Sequence, residues 1–449
     1  MRSTAMSVLL VIFCTSIGFA EAPASPADRN WGQWRGPQAN GVAPHGNPPI
    51  QWSESKNVRW KVELPGSGLA SPIVWGDRVY IQTVIKTDKQ VEPVKKAESE
   101  DPSPRGRFGR RSEPPTHVYK FVVMALDRQS GKTVWSYTVR EAVPHEAGHP
   151  SASQASGSPI TDGQHLFAHF GSRGLYCFDM QGKLIWEKDL GQMTTRHGFG
   201  EGSSPALHGD TIVVNWDHEG DSFIVALDKN TGAERWRRSR DEVTSWSTPL
   251  IVQRDKAPQV IVSATNQVRA YDLATGDVVW QCGGLGANCI PSPVADAGQV
   301  YAMSGYRNGA LLAIRYPGAK GDVTDSAAVA WKVTRGTPYV PSPALYGETL
   351  YFLEKNTAIL SCYNTRTGKA FYTNQRLEGI SGVYASPVAA ADRVYIVGRN
   401  GTAQVLKHGP KYEVLATNKL DDEFDSSPAI AGDELYLRGR THLYCIARK

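Results

Sequence analysis

The chain has 449 residues, with Lys+Arg 49 against Asp+Glu 44, a formal net charge of +5 and only 21% charged residues. Its basic residues are scattered, which excludes the electrostatic footprint of a nucleic-acid binder. Gly 43 and Pro 28 suit a chain of many tight turns, and although the length could hold three ordinary domains, an internal repeat makes one repetitive domain the expectation.

The first residues read as a targeting segment. Arg2 precedes an apolar run from Met6 to Phe19, and Ala20-Glu21-Ala22 supplies small residues where a signal peptidase cuts. Residues 1–22 are therefore expected to be a signal peptide, and the mature chain to be periplasmic or secreted. No other stretch is long enough to span a bilayer as a helix. Residues 23–56, with Trp31, Trp34, Pro37, Pro49 and Trp52, are expected to form an extended, loop-like lead-in.

Residues 57–449 carry a repeat. A proline opens each unit at Pro72, Pro159, Pro205, Pro249, Pro293, Pro343, Pro387 and Pro428, preceded by Ser everywhere except at Pro249, where Thr248 stands. Each unit has four short apolar runs punctuated by turn residues, which reads as a four-stranded antiparallel sheet. A period near 44 residues with four strands per unit predicts a β-propeller, in which neighbouring sheets stack around an axis. The fold class expected is all-β, an eight-bladed propeller.

Blade one begins at Ser71 and is interrupted by an insertion over about 86–117. That stretch is rich in charge, Pro and Gly, with Arg107, Arg110 and Arg111 in one run, a composition that cannot bury a core. Further along, glycine followed four residues later by an aromatic returns as Gly131/Trp135, Gly182/Trp186, Gly232/Trp236, Gly276/Trp280 and Gly368/Tyr372. Glycine supplies the positive backbone dihedral of the hairpin turn, and the aromatic packs between blades. Blade five carries extra residues between Gly318 and Trp331. The last unit stops after three strands, so Val58 to Leu64, with Trp60 in the docking position, is expected to supply the fourth and close the ring.

The pattern Ala-Leu-Asp-x-x-Thr-Gly-x-x-x-Trp at Ala226 to Trp236, with its counterpart at Ala270 to Trp280, resembles the tryptophan-docking motif of the pyrroloquinoline-quinone-like (PQQ-like) propeller repeats. The resemblance covers nearly all of the chain after about Trp31. It implies the fold, and it leaves open several activities, because that family includes quinone-dependent dehydrogenases and the outer-membrane barrel-assembly lipoprotein. The dehydrogenases carry adjacent cysteines, a calcium site and an aspartate base. This sequence has no adjacent cysteines and no Cys-x-x-Cys-His, so no cofactor is firmly implied, with PQQ and calcium left open. Cys14, after the bulky Phe13, departs from a lipoprotein cleavage site.

In this topology the loops from outer strand to next inner strand, and from second to third strand, open on one face. The polar residues there are the candidate ligand-binding set: Arg173, His197, Glu201, Asp217, His218, Trp246, Asn266, Arg307, Lys355, Arg399 and Asp425. Guanidinium forks and aromatic rings suit a small polar or anionic ligand. Asp217 or Asp425 could serve as a base, His145/His149 or Asp217-His218-Glu219 could contribute to a metal site, and all could equally brace loops. Cys177, Cys362 and Cys445 fall on third strands as packing residues, whereas Cys282 and Cys289 flank loop glycines, where the sequence allows either a disulfide or two free thiols. The reading is a monomeric exported propeller, leaning towards a non-catalytic role, that binds a ligand or an envelope protein. The alternatives are a PQQ-linked oxidoreductase of alcohols or sugars and an envelope scaffold.

Overall fold

A computed structural model describes residues 25–92, 115–253 and 257–448. The signal segment and most of the blade-one insertion, including its arginine run, lie outside the described residues. Eight antiparallel sheets surround a common hub, each running inner, second, third and outer strand from the hub outwards. Blade three is typical, with Ala206–His208, Thr211–Trp216, Phe223–Asp228 and Glu234–Ser239. Its second and third strands are buried almost throughout, while its outer strand alternates exposed and buried residues, as expected of a sheet packed on both faces except at its rim. The last blade closes as expected, Val58–Glu63 pairing with His442–Ile446 so that Trp60 faces Cys445. A free ring edge is thereby removed.

Two details depart from the sequence expectation. The blade-one insertion begins as ordered sheet: Arg78–Gln90 and His117–Asp127 continue their ladder to Gln90 opposite His117. In blade five, the extra residues send Gly321–Asp322 across to the outer strand of blade four, where they pair in parallel with Trp280 and Gln281. That added strand covers Trp280 completely.

The docking aromatics work between blades. A Cβ on Gly182, Gly232 or Gly276 would lie 2.6, 2.8 or 2.5 Å from the indole of Trp135, Trp186 or Trp236, each on the preceding blade. The turn glycine is thus demanded twice, by its positive φ and by the ring lying against it. The indole N–H then donates to a carbonyl of the same neighbouring turn: Trp186 to Lys229, Trp236 to Leu273, Trp331 to Thr365. Trp135 faces the Asp179 to Gly182 turn, one residue shorter than the Asp228 to Gly232 turn, and its N–H finds no acceptor.

The hydroxyl before each repeat proline holds the blades together at the hub. The backbone N–H groups of Ser71, Ser158, Ser204, Thr248, Ser292, Ser342 and Ser386 each donate to the hydroxyl of the next blade's Ser or Thr, at 2.8 to 3.1 Å. The ring is open between blades eight and one, where the Ser71 hydroxyl has no partner. At that junction Arg438 of blade eight donates instead to the carbonyls of Ala70 and Gln82.

The described part of the lead-in has no strand of its own before Val58. It winds around the hub and pairs with exposed inner-strand edges, Trp31 with Val74 and Val42 with Ala389. Thr161, Leu345 and Gly432 add backbone bonds to Gly32, Asn40 and Asn47. Arg35, buried at the centre, donates to the carbonyls of Pro343 and Pro387, and Trp34 donates to the Ser292 hydroxyl. The hub is therefore filled by the lead-in, and the polar loops open on its other end.

Candidate functional site

Ten residues after each repeat proline, and fourteen in blade four with its longer first turn, the second strand places one buried side chain at an equivalent position. Reading around the ring, these are Gln82, His169, Asn215, Ser263, Met303, Leu353, Val397 and Arg438. All eight are buried, so blades five to seven carry an apolar arc and blades eight to four a polar one. Buried polar atoms without partners are costly, about 1–3 kcal/mol each, and this arc holds four: His169 Nε2, Asn215 Oδ1, Ser263 Oγ and Arg438 Nε.

Above His169 and Asn215 the loops of blades two and three part to form a small open cleft. Arg173, Glu201, Asp217 and Trp246 of the expected set line it, together with His145, Ser172 and Ser245. Glu201 sits on the Gly171–Arg173 turn and accepts from the backbone N–H of Ser172 at 2.6 Å and from its hydroxyl. Gly171 has φ +54°, and a Cβ there would fall 1.4 Å from a Glu201 oxygen, so only glycine admits the carboxylate. Burial pushes the Glu201 carboxyl up to about 7, with the Ser172 bonds opposing. Arg173 donates to the Val143 carbonyl at 2.8 Å and approaches His145 Nδ1 at 3.3 Å, while its buried Nε has no partner. Burial lowers its guanidinium below the ordinary value. His169 is held near 4 by burial, hence neutral. Trp246 anchors one wall, its indole N–H donating to the Gly200 carbonyl at 2.7 Å.

Asp217 is no base. Arg240 donates to its Oδ1 at 2.6 Å and to Oδ2 at 3.0 Å, and Ser245 and Asn215 also donate to Oδ2, all out of contact with solvent. Asp425 is likewise engaged by Arg399 and Arg440 between blades seven and eight, and Arg399 lies over the Tyr384 ring at 4.1 Å. His218 accepts from the N–H of Thr194 and of Gly220, which makes it a loop brace. Glu219 does the same for Thr244. His197, Asn266, Arg307 and Lys355 are exposed on separate loops of blades two, four, five and six, with Arg307 over the Tyr306 ring. The eleven residues thus divide between one cleft, one ion-paired cluster, the loop brace His218 and isolated loop tips.

Of the disulfide and the free thiols that the sequence allows, the structure holds the thiols. Cys282 and Cys289 are both free and buried. Cys282 lies two residues after Trp280 on the outer strand Val278–Gly283, so it points into the core with that ring rather than into a loop. The Cys289 thiol faces the Met303 carbonyl. His145 and His149 also part, one bonding the Met193 carbonyl and the other the Ser151 hydroxyl. Among the described residues no three His, Cys, Asp or Glu side chains gather as a ligand set for a metal ion.

Comparison with known proteins fits this architecture. A family model described as outer membrane protein assembly factor BamB matches residues 220–449, just over half of the chain. The chain belongs to this BamB family of PQQ-like propellers. A curated relative, the outer membrane protein assembly factor BamB of Yersinia pestis, is 24% identical over 327 residues, covering 63% of this chain and 79% of its own. Among solved structures, BamB from Moraxella catarrhalis is similar with TM-score 0.50 and 16% identity over 73% of this chain and 89% of that one. The quinohemoprotein alcohol dehydrogenase of Comamonas testosteroni reaches TM-score 0.59 at 10% identity, over 94% and 81%. Identities this low carry the fold and no activity.

The residues of the cleft do not fit the dehydrogenases' quinone. PQQ is a polyanion, yet Glu201 and the lone pairs of His169 and Asn215 meet here with a single partly engaged guanidinium, and Asp217 is already neutralised by Arg240.

Proposed function

We propose that the protein is an exported, monomeric, non-catalytic binding module of the cell envelope that takes a polar ligand into the cleft between blades two and three. One observation supports this best. Arg173 Nε, His169 Nε2 and Asn215 Oδ1, three buried polar atoms without partners, belong to residues that line a single cleft. Such groups gain the hydrogen bonds they lack when a ligand arrives. Asp217 and Asp425 are ion-paired, and Glu201 is tied to a backbone turn. Titration of the purified full chain with a panel of polar metabolites, together with quinone reconstitution and dye reduction, tests it. Saturable binding that Arg173→Met weakens without dye reduction is the expected result; turnover with added quinone would reverse the reading.

Family membership supports a second reading, an envelope scaffold acting with outer-membrane assembly proteins, as the name of the Yersinia pestis relative describes for that protein. Retention of those assembly proteins on the immobilised chain would favour it, and a freely soluble pool without partners would count against it.

A further inference from the structure

The hydrogen-bonding inventory of the cleft specifies which polar ligand it takes, an inference that rests on the binding reading above. His169 Nδ1 faces the Ser203 carbonyl at 3.4 Å, so Nδ1 carries the proton and Nε2 presents a lone pair. The Asn215 amide nitrogen donates to Asp217 at 3.1 Å and to Ser245 at 3.4 Å, which leaves its carbonyl oxygen, an acceptor, as the unpartnered atom. Glu201 adds a carboxylate that only accepts when ionised. Against these acceptors stands one unpartnered donor, Arg173 Nε.

Each ligand charge class meets an obstacle. An anion would face the lone pairs of His169 and Asn215 and the Glu201 carboxylate. An ammonium group would share the cleft with the Arg173 guanidinium. The Arg240–Asp217 pair beneath is internally neutral and favours neither sign. A hydroxyl group both donates and accepts, so a row of vicinal hydroxyls satisfies His169 and Asn215 as donors and Arg173 as acceptor. Trp246 forms a wall whose N–H is already bonded to Gly200, so the rest of its ring offers an apolar surface. The C–H face of a pyranose ring suits such a surface.

We propose that this cleft is a carbohydrate site for a neutral sugar ring, whose hydroxyls engage His169, Asn215 and Arg173 and whose C–H face lies on Trp246. The test uses the full chain and saturation-transfer NMR with titration against the methyl glycosides of glucose, galactose, mannose and N-acetylglucosamine, with citrate and spermidine as anionic and cationic probes. At least one glycoside should bind saturably, with its ring protons saturated most strongly. Trp246→Ala should weaken it by about tenfold or more, and Trp246→Phe by only a few-fold, in variants that urea titration shows to be still cooperatively folded although both lack the bond to Gly200. Should Trp246→Ala not fold, Trp246→Phe and the wild-type ring-proton pattern still decide. If citrate or spermidine binds in a Trp246-dependent way and no glycoside does, the carbohydrate assignment fails while the binding module stands. If no probe binds, both fall. Glycoside binding that is indifferent to Trp246 would also overturn the assignment.

Discussion

Replacing Ser386 by Ala removes the hydroxyl that accepts the Ser342 N–H at 2.9 Å, and the site is buried. The donor left behind has no alternative acceptor at the hub, so the cost is that of an unsatisfied buried N–H, about 1–3 kcal/mol. Ser71→Ala deletes an equivalent hydroxyl that has no partner because the ring is open beside it. Its cost should stay within about 0.5 kcal/mol. The same chemical change at the same position of two blades is thus expected to differ severalfold. For a chain of this length the melting entropy approaches 1 kcal/mol/K, so about 2 kcal/mol shifts Tm by only about 2 °C. Urea titration at constant m resolves the difference better. Equal losses at Ser71 and Ser386, or no loss at Ser386, would refute the hub ring as a stabilising device.

Arg35→Ala strands the carbonyls of Pro343 and Pro387, and a destabilisation of about 2–4 kcal/mol is expected in the same urea assay. Arg35→Met should recover part of that loss, because burial already lowers this guanidinium to about 9 and thus opposes its charge. Glu201 and Glu242 are both raised by burial from the usual 4.5 to about 7. Between those values the folded chain holds protons that the unfolded chain has released, so stability should fall as pH rises through this window. Glu201→Gln should flatten roughly half of the fall, and an unchanged slope would remove Glu201 from the account. The five described cysteines are free and buried, and burial pushes the thiols of Cys177, Cys362 and Cys445 up to about 12. Native protein should resist a thiol reagent, and all five should react after unfolding without reductant; a shortfall of two would restore the disulfide.

Much of the architecture was legible in the linear chain. The proline spacing counted eight blades, the glycine–tryptophan offset located the outer strands, and Trp60 with no strands before it announced that the chain ends share a blade. These features are local, because each strand and turn is specified by neighbours in sequence. The Ser before each proline was visible too, although its role appears only when blades some 44 residues apart are brought within a hydrogen bond. The polar arc was equally written at a fixed offset, where Gln82, His169, Asn215 and Arg438 interrupt strands that elsewhere carry Met303, Leu353 and Val397. A search confined to loops passes over it, since these residues lie inside strands.

What the sequence determined by itself is the repeat, its count and the face on which its polar loops open. Which of those loops meet was decided by the tertiary structure alone. Asp217 and Asp425 look alike in sequence and are both neutralised by arginines, Arg240 and Arg399, that a linear reading cannot pair with them. The lead-in reads as a loop because Gly and Pro prevent any strand of its own, yet it is ordered by the free inner edges of the blades, which exist only once the ring has closed.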